Sequence, residues 1–187
     1  MSAELSAHGQ RPPAPVPDSF VDAPSPAMGP TVATHCPTTP AVARHSVRLG
    51  DHGPMESAVL IVSTGTRTVT DITREVAQFC AGQGDGLLNA FAPHATAGLA
   101  LMELGSGSEP DLDEALGRLL PRDDRYRHRH GSPGHGADHL LPVLVSPSLT
   151  VPVLDGRLQL GTWQSLVVID GNADNPTREV RLSFVPA

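Results

Sequence analysis
Three features of the sequence predict an α+β fold built on a largely antiparallel sheet with two main helices. Strand-like segments outnumber helical ones. The two helical patterns are not interleaved regularly with the strands, and the strands crowd into the C-terminal half, joined by turn residues. At 187 residues and 19.6 kDa the chain has the length of a single core. A composition 39% hydrophobic supports a packed interior, but 19 prolines and 18 glycines are too many for a compact fold throughout. Part of the chain is therefore expected to be an unfolded tail.

Residues 1–56 have the composition of that tail. Pro12, Pro13, Pro15, Pro17, Pro24, Pro26, Pro30, Pro37 and Pro40 lie among Ala, Ser and Thr. Such a stretch cannot bury enough apolar surface to offset about 1–2 kcal/mol of backbone entropy per residue, and disorder is expected. The first dense apolar run, 58–62, starts just after Met55, which makes Met55 or Met28 a candidate translation start.

Residues 57–187 carry the pattern of a folded domain. SAVLIVS, 57–63, reads as a strand. Thr70 is an expected N-cap for a helix whose apolar positions Ile72, Val76, Phe79 and Cys80 share a face, and Gly82, Gly84 and Gly86 stop it. Leu87–Pro93 reads as a buried strand leading into HATAGLALMEL, 94–104, a strand expected to break near Gly98. In the second helix Glu109 caps, Pro110 takes the first position, and Asp111, Asp113 and Glu114 favour the positive end of the dipole. Leu112, Leu116 and Leu119 form its apolar face, and Pro121 ends it.

Residues 122–138 read as a charged, glycine-containing loop without regular structure, and everything beyond reads as strand. LLPVLV (140–145) precedes SLTVPVL (148–154), the Asp155-Gly156 dipeptide and RLQLGTW (157–163), a hairpin signal because Asp-Gly suits the type I′ turn. SLVVID (165–170) and REVRLSFV (178–185) complete a meander in which Val180, Leu182 and Phe184 share a face.

Charge and residue usage narrow the function. Thirteen basic against 20 acidic residues give a net charge of −7, which repels nucleic-acid phosphates and anionic lipid. Every basic residue is arginine, so lysine Schiff-base and P-loop chemistry are excluded and phosphate recognition falls to guanidinium groups, backbone amides or a metal ion. Cys36 and Cys80 form no CxxC pair, so neither a thiolate zinc site nor a disulfide framework is indicated. No apolar run approaches the roughly 18 residues of a membrane span, and no secretion signal is recognisable. A cytoplasmic protein with no nucleic-acid or membrane partner is expected.

Histidine is the most informative residue type. His128, His130, His135 and His139 crowd into YRHRHGSPGHGADH, and His94 stands alone after a strand. Clustered imidazoles in a loop are a common way to hold a divalent ion, zinc or magnesium here, with a position left open for substrate. The competing reading is a solvated polar loop in which His and Arg merely alternate. His135 and His139 have the i, i+4 spacing of a helical ligand pair, but Gly134 and Gly136 oppose a helix. Taken singly, His94 reads as a hydrogen-bonded residue at a strand end. Glu103 closes an apolar run and is a candidate acid or base, unless the strand has reached water there. Asp138, directly before His139, reads either as a group that orients an imidazole or as loop charge alone. Trp163 reads as core filling, with Thr162 and Gln164 on the opposite face of the same strand, and Ser148 and Thr150 form a polar row on the strand before it.

HATAGLALMEL, the YRH of 126–128, the ADH of 137–139, SPSLTVPVLDGRLQLGTWQS and the closing REVRLSFV together resemble the YjbQ-like family, also called secondary thiamine-phosphate synthases. The resemblance covers roughly 57–186. It implies an α+β domain that assembles as a homotrimer, with histidine-lined sites near subunit contacts. By position His94 matches the histidine of the family's H-x-T-A-G motif, Glu103 its glutamate, His128 the first loop histidine and His139 the last. The implied ligands are His94, His128 and His139, with His130 and His135 as further candidates because this loop is longer and richer in histidine. Met102 departs from the family's usual asparagine. The implied reaction joins hydroxymethylpyrimidine diphosphate to thiazole phosphate with loss of pyrophosphate. His94 and Glu103 would be catalytic, and Arg127, Arg129, Thr150 and Gln164 would bind the phosphorylated metabolite. A metal-dependent phosphohydrolase using the same histidines, and a non-catalytic metal- or metabolite-binding trimer, are the alternatives.

Overall fold
Strict period-two burial along the C-terminal segment sets the layering: Arg178, Val180, Leu182 and Phe184 are buried, whereas Glu179, Arg181 and Val185 are exposed. The computed structural model describes residues 55–123 and 125–187, and the backbone alone of 42–47. The elements run β1 (Val42–Val47), β2 (Met55–Ser63), β3 (Val69–Asp71), α1 (Thr73–Cys80), β4 (Gly86–Phe91), β5 (Ala97–Met102) and α2 (Ser108–Leu119). They continue through α3 (His135–Asp138), α4 (Leu141–Leu144), β6 (Ser148–Leu154), β7 (Arg157–Leu158), β8 (Ser165–Asp170) and β9 (Thr177–Pro186). One sheet has the order β1-β2-β9-β4-β6-β7 and the other β3-β8-β5, every pairing being antiparallel. The fold is α+β, as the sequence predicts. No helix of the described residues is long and apolar enough to cross a membrane.

The core lies between the sheets. Leu60, Leu88, Val153, Leu182 and Phe184 from the larger sheet meet Leu99, Leu166 and Val168 from the smaller one, with Val76 and Phe79 of α1. The opposite face of the small sheet, Val167 and Ile169, is covered by Leu141 of α4 and by Leu112, Leu116 and Leu120 on and just beyond α2. Coverage on both sides explains why SLVVID is a continuous apolar run, whereas β9 alternates. Burial pushes the Cys80 thiol up to about 11, which leaves it an inert core side chain. The two sheets are also tied by charge. Arg178 of β9 donates from Nη2 to Asp170 Oδ1 at 3.1 Å, its Nε lies 2.8 Å from Asp170 Oδ2, and both side chains are buried.

Several local expectations give way to tertiary structure. Val42–Val47, counted in the tail, is a strand paired with β2, so the ordered part begins before residue 57. Residues 1–41 and 48–54, where the rest of the expected disorder falls, lie outside the described residues. Thr70 is in β3, not at a helix cap. α1 starts three residues later, where Asp71 Oδ1 accepts from the Thr73 N–H at 2.9 Å and from its hydroxyl at 2.6 Å. β5 runs unbroken through Gly98, because the glycine admits the Val145 carbonyl, which an added Cβ would meet at 2.2 Å. Leu120, not Leu119, completes the buried side of α2; Leu119 is 68% exposed. LPVL at 141–144 is a helical turn rather than strand, and His135–Asp138 is another inside the expected loop. β7 ends at Leu158, so Trp163 sits on a turn and is 71% exposed, not core.

Candidate metal centre
The segment between α2 and α4 folds back across the end of the small sheet, and arginine and backbone contacts hold it there. Arg122 Nη1 donates to the Gly171 carbonyl at 2.8 Å and pairs with the buried Asp138. Burial pushes the Asp138 carboxyl up, and the Arg122 guanidinium opposes that shift. The Ser132 N–H donates to Asp174 Oδ2 at 3.1 Å, fixing the loop to the β8–β9 connection. Gly131, at φ +78°, lets the main chain pass against the His135 ring, where a Cβ would lie 2.8 Å from Cγ.

This wrapping brings His128, His130, His135 and His139 together. One ring nitrogen from each lies within 4.8 Å of those of the other three. His135 and His139 Nε2 are 2.9 Å apart, His135 opening the one-turn α3 and His139 following its last residue. Burial, with the neighbouring imidazoles, holds His128 and His139 below the usual histidine value. They are therefore neutral near pH 7, the form in which imidazole binds a cation. His128, His130 and His135 border a polar cavity of about 250 Å³ that is also lined by Tyr126, Arg129, Ser132 and Asp123.

The other candidates are distributed differently. His94 is not in the group: its Nε2 lies 2.8 Å from the Glu179 amide nitrogen and 3.1 Å from the Glu179 carbonyl oxygen. β4 stops pairing with β9 at Phe91–Arg181, and the His94 ring takes over the main-chain groups left free beyond it. Of the expected ligands His94, His128 and His139, the fold brings the last two together with His130 and His135 and leaves His94 apart within the chain. Burial, followed by the nearby Arg178 charge, lowers the His94 pKa.

Glu103 is exposed and leaves β5 past Met102, about 20 Å along the strand from Ala97, whose partner Asp170 lies at the loop end of the sheet. It does not border the cavity, and neither do Arg127, Thr150 and Gln164. Thr150 accepts from Asn89 Nδ2 at 3.1 Å on the outer sheet face, and Gln164 Oε1 accepts the Gly161 N–H at 2.8 Å. Of the expected phosphate-binding residues only Arg129 borders the cavity. Sequence reasoning missed Arg122 and Asp174. Arg122 follows the helix-ending Pro121 and reads as generic surface charge, whereas Asp174 lies 42 residues from its partner Ser132.

Comparison with known proteins agrees with this architecture. A UPF0047 protein of Mycobacterium tuberculosis is 61% identical over 131 residues, covering 70% of this chain and 98% of that relative. One from Archaeoglobus fulgidus is 32% identical over 65% of this chain and 95% of its own length. Among solved structures, a conserved hypothetical protein of Thermus thermophilus is 32% identical with a TM-score of 0.58, over 66% of this chain and 96% of that one. A YbjQ-like protein of unknown function from Sulfolobus solfataricus, at 21% identity and a TM-score of 0.66, shares the fold over 71% of this chain and 98% of its own. The family model described as UPF0047 protein YjbQ-like matches residues 58–187, and the chain belongs to that family.

Proposed function
We propose that His128, His130, His135 and His139 hold a divalent metal ion, zinc rather than magnesium, and that the site acts on a small phosphorylated metabolite. The observation that carries this reading is the meeting of four imidazole donors within 4.8 Å of one another, three of them, His128, His130 and His135, lining a polar cavity. An all-nitrogen donor set suits zinc, whereas magnesium prefers carboxylate, water and phosphate oxygens. Bound there, the ion would supply Lewis-acid stabilisation of phosphate oxygens. The Arg129 guanidinium, on the same cavity wall, would pair with a phosphate and hold its charge. Ser132 and Tyr126 offer neutral hydrogen-bonding groups beside it.

In its specific form the proposed reaction is the one implied by the family resemblance. Hydroxymethylpyrimidine diphosphate joins thiazole phosphate, one C–N bond forming as the C–O bond to pyrophosphate breaks. A phosphohydrolase is the second reading, and the cavity volume favours it: about 250 Å³ is small for two ring systems. A homotrimer is proposed with either. Leu87 and Val185, cross-strand neighbours and each 49% exposed, lie with Phe91, 40% exposed, on the outer face of the large sheet and support self-association.

The test incubates zinc-loaded full-length protein with each precursor alone and with both. Pyrophosphate release only when both are present supports the condensation, whereas phosphate release from a single ester supports the hydrolase. If neither precursor is consumed, and the His135→Ala/His139→Ala variant retains as much zinc as the wild type, the metal-dependent reading falls.

A further inference from the structure
His135 is the most enclosed of the four imidazoles, its side chain 10% exposed, and its Nδ1 is shielded from water without a well-aligned hydrogen bond. Two carboxylates face that nitrogen. Asp174 Oδ2 stands 3.4 Å away, while Asp138 Oδ2 is at 4.0 Å, beyond hydrogen-bond reach, on a side chain already paired with Arg122. The Asp174 oxygen is held in place, since it also accepts the Ser132 N–H at 3.1 Å.

A bare Nδ1 lone pair against two carboxylates would be repelled, so Nδ1 carries the proton. Nε2 is then a bare acceptor. It lies 2.9 Å from His139 Nε2, which in the absence of a cation donates to it.

We propose that Asp174 is a positioning residue that fixes His135 as the Nδ1–H tautomer and aims its bare Nε2 into the imidazole group. The consequence for metal affinity rests on the metal reading above, but the tautomer does not. A carboxylate behind a ligating imidazole fixes ring orientation and raises donor strength, and its loss typically weakens metal binding about 10–100-fold.

The experiment combines long-range ¹H–¹⁵N correlation of the imidazoles in metal-free full-length protein with zinc competition titrations of the wild type, Asp174→Ala and Asp174→Asn. The wild type is expected to show His135 protonated on Nδ1. Asp174→Ala is expected to populate both tautomers and to bind zinc about 10–100-fold more weakly. Asp174→Asn, whose side-chain carbonyl still accepts from Ser132 and His135, should recover most of the loss. An Nε2–H tautomer in the wild type overturns the proposal. So does an Asp174→Ala variant that loses zinc with its His135 tautomer unchanged, because that pattern marks a loop effect. A wild type that takes up no zinc but loses the Nδ1–H tautomer in Asp174→Ala defeats the metal reading and supports the positioning role.

Discussion

His94 and the four loop histidines meet different fates, and main-chain accounting explains the difference. At the end of β4 the ladder with β9 stops at Phe91, leaving Glu179 with main-chain groups that need a partner, and the His94 ring supplies one. In the 128–139 loop the rings meet one another instead, at centroid separations from 4.0 to 5.8 Å. Imidazoles spent on backbone are structural, whereas imidazoles facing imidazoles are available to a cation. The same residue type therefore carries two meanings, decided by whether a strand end is nearby.

Substitutions break or sharpen this contrast, and the largest expected effect lies beneath both regions. Arg178→Ala strands the buried Asp170 charge between the sheets and is expected to cost about 3–5 kcal/mol of stability, measured by urea unfolding. Next comes His135→Ala. Apparent zinc-binding energies of about 10–16 kcal/mol shared over four ligands put one ligand near 3 kcal/mol, roughly 100-fold in Kd, with little change in unfolding of the metal-free protein. His94→Ala should show the reverse: zinc affinity unchanged and stability lower by about 1 kcal/mol from the lost bond to Glu179.

The smallest effect is in pH dependence. The His94 pKa is depressed in the folded protein, so the unfolded chain binds the proton more readily. The contribution of His94 is fully present above its unfolded value of about 6.5 and is lost as pH falls from there through the folded value. His94→Gln should flatten that part of the acid limb of metal-free unfolding curves. An acid limb identical to that of the wild type would remove His94 from the account.

The sheets were largely legible in advance because burial and periodicity agree there. In β9, Val180, Leu182 and Phe184 alternate with exposed residues, and in β8 both faces are covered, so neither run has a competing interpretation. LPVL at 141–144 was not legible: a short apolar run packs equally well as strand or helical turn, and contact with the small sheet decides. The turn at His135–Asp138 was hidden for the opposite reason. Glycines that oppose an isolated helix are here the positions where rings and main chain approach closely. His128 and His139 were identifiable as candidates from the motifs they sit in, and His130 and His135 from local density, and the structure brings all four rings together. Glu103 and Gln164 lie near the far end of the β5–β8 ladder, a placement that no local pattern records. Asp174 lies still further from the loop in sequence and becomes visible only once β8 and β9 turn it onto Ser132.

Zinc titration of metal-free, untagged protein, followed in parallel for the wild type, His94→Ala and the His135→Ala/His139→Ala variant, tests the central claim most directly. The account predicts one equivalent bound per chain in the first two and collapse of binding in the third. Binding that survives in the third but disappears in His94→Ala would contradict it.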